Sequence, residues 1–176
     1  MGGVMMQLGE SFVGSGPEAA HLNTVLGLRS GPVGTAWATA LATPGEGHAG
    51  FVVVARPNLP VKPMTLFVNK ATIASETHGR MTWGPAQLGV ASGVLDAVAD
   101  GVVEGDEVDR LVLIAAVWVD PSASDADRVY ENNRQATREA LRNGALLAPD
   151  LAEVMAVRET PLNGYYTPPS LRGPTS

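Results

Sequence analysis

The chain has 176 residues, 45% of them hydrophobic, and its 12 basic against 18 acidic side chains leave a net charge of -6. That is enough chain for one domain with a substantial core, and an acidic chain without a Lys/Arg cluster speaks against a nucleic-acid partner. The absence of cysteine excludes disulfides, thiolate nucleophiles and cysteine-based metal sites, while a charged fraction of 17%, below the roughly 25% of ordinary soluble proteins, predicts apolar surface covered by another subunit.

In chain order, Met5 to Val13 and Ala20 to Leu28 read as strands separated by the turn Gly14-Ser15-Gly16-Pro17. Pro32 fits the first turn of a short helix that runs through Trp37 to Leu41 and breaks at Pro44-Gly45. Phe51-Val52-Val53-Val54 and Met64 to Ile73 are further strands, the second fed by a segment whose prolines after Asn58 and Lys62 keep the backbone extended or turned. Strand alternation puts Lys70 and Thr72 on the face of Leu66 and Val68, so one of only two lysines in the chain sits on an otherwise apolar face. A strand-end lysine snorkelling to solvent is the plain alternative. Ala91, Val94, Leu95 and Val98 recur at helical spacing and predict a helix from about Pro85 to Asp100. Arg110 to Asp120 is a buried strand by its Val/Ile/Trp content, and Asp125 to Asn143 a polar, arginine-bearing helix stopped by Gly144. Leu147 to Arg158 fits helix or strand, and the Pro- and Tyr-containing end is expected to be extended and to reach across a subunit boundary. The whole reads as an α+β domain over residues 1–160 with a tail over residues 161–176. The start at Met1-Gly2-Gly3-Val4 lacks the pattern of a secretion signal, and the longest apolar run, Leu111 to Val119, is too short for a bilayer. The expectation is a cytoplasmic protein without membrane contact.

Three motifs stand in order over about residues 5 to 145: Gly14-x-Gly16-x-Glu18-x-Ala20-His21, then Pro57-Asn58-Leu59-Pro60-x-Lys62-Pro63-x-Thr65-Leu66-x-x-Asn69-Lys70-x-Thr72-Ile73, then Gly84-Pro85-Ala86-Gln87-x-Gly89-Val90-Ala91. Together they resemble the formaldehyde-activating enzymes. The resemblance implies a two-layer sheet-and-helix domain like domain 2 of ribosomal protein S5, assembled as a homopentamer with active clefts between neighbouring subunits. It also implies condensation of formaldehyde with the reduced pterin tetrahydromethanopterin, a co-substrate, to the methylene derivative and water. No bound cofactor, metal or redox group is implied.

An amine that adds to formaldehyde forms a carbinolamine, whose hydroxyl leaves with difficulty unless an acid protonates it. A histidine suits that step because its ordinary pKa of about 6.5 makes both protonation states available near neutrality. By resemblance His21 is the proton donor; outside the motif, a strand histidine bonded to backbone would be the ordinary reading. The resemblance makes Lys70, Thr72 and Gln87 pterin-binding residues. Gly84 and Pro85 fit an N-cap and first helical residue, which puts Gln87 in the first turn, facing a heterocycle or closing a capping box. Two matched substrate positions differ from the family: Asn23 stands where an aspartate is usual, and Val52 where a leucine is usual. Leu88 replaces the histidine that commonly follows the glutamine. An amide at residue 23 leaves open condensation of an aldehyde with a different amine, or a non-catalytic pterin- or aldehyde-binding protein.

Other signals are weak. Gly14-x-Gly16-x-x-Ala19 lacks the strand-to-helix setting of a dinucleotide loop, since Pro17 and a strand follow it. His48 near Glu46 and His78 near Glu76 match no zinc spacing.

Overall fold

The computed structural model describes residues 6–172; Met5 and the last four residues of the expected tail lie outside them. The centre is a five-stranded sheet. Strand β1 (Gln7–Val13) pairs antiparallel with β2 (Ala20–Leu28), and β2 pairs antiparallel with the late strand Leu111–Trp118. That late strand, β7, runs parallel to β6 (Met64–Asn69), and β6 carries the two-residue edge strand β3 (Phe51–Val52). A separate ribbon joins β4 (Val54–Arg56) to β5 (Leu59–Pro60), turning at Asn58 with φ of 66°.

Alternation decides which side chains meet the helices. Ala20, Leu22 and Leu26 of β2, Leu113, Ala115 and Val117 of β7, and Phe67 of β6 are buried on one face. Helices α3 (Gln87–Ala99) and α4 (Ala126–Leu146) cover that face, with Val90, Val94, Val129, Ala136 and Ala140 in the shared core. Phe67 is fully buried and stacks on Phe51 at 4.8 Å; burial of such a ring is worth about 1.5–3 kcal/mol. Helix α1 (Pro32–Ala42) covers one end of the opposite face, where Val33 sits over Gly27. The result is the expected two-layer α+β domain, with half of one sheet face left uncovered by helices.

The α4 boundary differs from the sequence expectation for a packing reason. Gly144 lies inside the helix, because a Cβ there would stand 3.3 Å from the backbone of Leu8. It is a close-approach residue; the helix ends at Leu146 and is capped by Leu147, which adopts φ of 53°, ahead of Pro149. The helix expected from Pro85 also starts earlier. Ser75 caps α2 (Glu76–Met81) by accepting from the His78 N–H, and helical backbone continues through a π turn, Thr82–Ala86, into α3. Pro85 sits inside that π turn, whose wider ring of backbone bonds accommodates a residue without an N–H. The ambiguous Leu147 to Arg158 stretch contains a short helix, α5 (Leu151–Ala156), closed by an Asp150–Glu153 capping box. The strand expected to reach Ile73 stops at Asn69, whose side chain donates to the carbonyls of Gly47 and Ala71 and folds the chain away from the sheet. No helix among the described residues is long and apolar enough to cross a membrane.

Candidate active site

The uncovered half-face is built rung by rung from strand register. Phe12 lies opposite His21 and His21 opposite Trp118; one rung along, Glu10 lies opposite Asn23, Asn23 opposite Ala116, and Ala116 opposite Val68. Alternation turns all of these side chains to the same side. Lys70 follows directly after β6, its backbone N–H bonded to the Val117 carbonyl, which brings its side chain over the same rungs.

The polar side chains there engage one another. Lys70 Nζ donates to Asn23 Oδ1, and His21 Nε2 is 3.0 Å from Glu10 Oε1. Burial pushes the Lys70 ammonium below the ordinary lysine range, and the negative charge of Glu10 opposes that shift. The walls are aromatic. The Phe12 ring is 5.9 Å from the His21 ring, and Tyr165, from the turn bridged by Asn163 and Tyr166, meets Phe12 edge-on at 5.7 Å and Trp118 at 6.3 Å. A half-buried imidazole, a half-buried amine and an aromatic rim can hold a flat heterocycle and move a proton.

His21, Asn23 and Lys70 are therefore brought together within one chain. Val52 points to the same sheet side but sits a rung further along, at the edge opposite Leu66. Thr72 turns away: its hydroxyl is 3.1 Å from His48 Nε2, while His48 Nδ1 is 2.9 Å from the Asn69 carbonyl oxygen. Gln87 lies at the start of α3, beside β4, and both ends of its amide are engaged. Its Oε1 accepts from the Val54 N–H at 2.9 Å and its Nε2 donates to the Val54 carbonyl at 3.2 Å. It opens α3 as expected, but the π turn continues the helix ahead of it and its amide bonds to Val54 instead of closing a capping box.

The other histidines have structural partners. His78 is buried, donates from Nε2 to the Val119 carbonyl at 3.0 Å and accepts the Ala74 N–H at Nδ1. Among the described residues no group of three or more His, Asp or Glu side chains converges as a metal site would. Glu10, Phe12, Trp118 and Tyr165 belong to none of the sequence motifs. Alternation within residues 7–13 places Glu10 and Phe12 on one face, but only the pairing of β1 with β2 delivers them to His21.

With this geometry in place, comparison with known proteins gives a consistent answer. The sequence pattern of the formaldehyde-activating enzyme family (Fae) matches residues 8–165. The chain is 40% identical over 153 residues to a 5,6,7,8-tetrahydromethanopterin hydro-lyase of Methanosarcina barkeri, spanning 87% of this chain and 86% of that one. It is also 37% identical over 174 residues to a bifunctional enzyme Fae/Hps of Methanosphaera stadtmanae, and 39% over 151 residues to one of Methanosarcina acetivorans. Those alignments span 94% and 86% of this chain but only 43% and 38% of the bifunctional proteins. A match from β1 to Tyr165, and 40% identity to a relative covered almost from end to end, mean that the chain belongs to the formaldehyde-activating enzyme family.

Proposed function

We propose that the protein condenses formaldehyde with tetrahydromethanopterin, releasing water and leaving the methylene derivative. The observation that carries this reading is the gathering of His21, Asn23 and Lys70 on one open sheet face in a member of this family. The hydro-lyase name of the Methanosarcina barkeri relative supports it.

In the proposed chemistry a pterin nitrogen attacks the formaldehyde carbon, the C–N bond forms as the C=O π bond opens onto oxygen, and the proton that the nitrogen loses passes to that oxygen. His21 then donates a proton to that hydroxyl, the C–O bond breaks and water departs. Capture of the resulting cation by the second nitrogen of the methylene bridge releases a proton that returns the ring, left as neutral imidazole, to the imidazolium. Lys70 and Asn23 hold polar atoms of the pterin, and Val52 lines its apolar edge. Thr72 and Gln87 complete the contacts from a cleft between neighbouring subunits of a homopentamer. Gln87 retains one N–H and one lone pair beyond its bonds to Val54, so it can serve both neighbours. Large exposed apolar side chains such as Leu8, Trp83, Leu95 and Leu151 support assembly, and a cytoplasmic location completes the proposal.

The neutral Asn23 supports a second reading, condensation with a different amine, because an amide offers both a donor and an acceptor where a carboxylate offers acceptors alone. The test is the His21→Ala protein assayed with formaldehyde and tetrahydromethanopterin, with the spontaneous rate subtracted. A folded variant should lose about 10²-fold or more of the catalysed rate. Unchanged turnover would remove His21 from the chemistry, and a wild-type protein that never exceeds the spontaneous rate would refute the activity with this pterin.

A further inference from the structure

We propose that Glu10 is the positioning residue of this site: its carboxylate holds His21 at Nε2, so that Nδ1 is the ring nitrogen presented to the reacting oxygen. The inference rests on the condensation reading above and adds to it a residue and an atom assignment.

Strand register carries the argument. Glu10 lies directly opposite Asn23 and diagonally from His21, on the sheet face that the helices leave open. At that diagonal a long side chain can reach its neighbour, and Glu10 Oε1 does so at 3.0 Å. A carboxylate can only accept, so at this ion-pair distance it favours a proton on Nε2 over a lone pair there. The other face of the assignment is Nδ1, which has no hydrogen-bond partner among the described residues. The Phe12 ring packs beside the imidazole and restricts its rotation. A histidine with one nitrogen turned to a carboxylate is an oriented acid or base whose second nitrogen does the work, and the carboxylate stabilises the cation that forms.

Among the described residues no other side chain on this face supplies that charge. Asn23 is neutral and its oxygen is occupied by Lys70. Among the described residues the nearby carboxylates are engaged elsewhere: Asp120 accepts from Ser122, Glu18 from the Ser124 and Asp125 backbone, and Glu139 from Ser11 on the helix-covered face. Glu10 also acts on Lys70, whose buried ammonium it favours. One carboxylate thus faces both basic side chains of the site.

Glu10 is largely exposed, so its replacement should leave the fold intact. The experiment compares wild type, Glu10→Ala, Glu10→Gln, His21→Ala and the Glu10→Ala/His21→Ala double variant. Glu10→Ala should lower kcat about 10-fold or more with KM for the pterin changed by less than about 2-fold, and should cost nothing further once His21 is gone. A kcat within about 2-fold of wild type, or losses that multiply in the double variant, would overturn the proposal. A second readout does not depend on turnover. Nitrogen-15 spectra of the three histidines, with His21 assigned by its absence in His21→Ala, should show the neutral His21 ring protonated at Nε2 in wild type and a mixture of tautomers in Glu10→Ala. Identical tautomer populations in the two proteins would equally overturn it. If wild type fails to accelerate condensation, the activity reading falls, and the nitrogen spectra still decide whether Glu10 holds the ring.

Discussion

Replacing Gln87 by leucine separates its structural role from its proposed contact with substrate. The side chain is 7% exposed and makes two hydrogen bonds to one backbone residue, Val54. Across the ribbon Val54 faces Pro60, which has no N–H to donate, so the Val54 carbonyl depends on a side-chain donor. Leucine keeps the volume, excludes water and leaves both Val54 groups unpaired. Each such group costs about 1–3 kcal/mol when buried. Val54 is only half-buried, so the lower end applies, giving about 2–3 kcal/mol for the pair. At about 2–4 °C per kcal/mol for a chain of this size, the melting temperature should fall by about 4–12 °C. Calorimetry on both proteins at one fixed concentration measures this, since assembly makes melting concentration-dependent. The Val54 amide should also lose protection against hydrogen exchange, and Gln87→Glu, which keeps the acceptor but not the donor, should fall between the two. A Gln87→Leu protein that melts within about 1 °C of wild type, with Val54 still protected, would refute the clamp.

Three further outcomes follow from the same geometry. Asn23→Asp gives Lys70 a charged partner, and we expect the condensation rate with tetrahydromethanopterin to rise about tenfold, the worth of one charge-assisted bond; equal rates in the two proteins would show that residue 23 does not set the choice of amine. Burial lowers the Lys70 pKa in the folded state, so the unfolded chain binds that proton more tightly and wild-type stability should gain as pH rises toward the ordinary lysine value of 10.5. Lys70→Met should lack this gain in urea titrations taken up to that pH, and matching slopes would contradict the partial burial of Lys70. Gly9→Ala would place a Cβ 1.8 Å from the Ala140 carbonyl oxygen, forcing α4 off β1 at a cost of about 3 kcal/mol, and an unaltered melting curve would show that the two elements are not that close.

The sequence by itself determined the α+β class, the long central strands, α1 and α4 to within a few residues, and the family, because these follow from local periodicity and from motifs that are contiguous in the chain. It also singled out His21, Asn23 and Lys70, although Lys70 and Asn23 are 47 residues apart and only the parallel pairing of β6 with β7 and the antiparallel pairing of β2 with β7 bring them into contact. Tertiary structure alone decided the rest. Pro85 reads locally as a helix start, but a π turn absorbs it and moves the start to Glu76. Gly144 reads as a stop, but its missing side chain is what lets the helix approach β1. Thr72 leaves the strand because Asn69 spends its amide on Gly47 and Ala71, and Gln87 turns to Val54 because Pro60 cannot complete the ribbon. Glu10 carries no motif at all. Its place beside His21 depends on the register of two strands, and register is fixed by which face of each strand the helices bury, a property of the folded chain that no single segment contains.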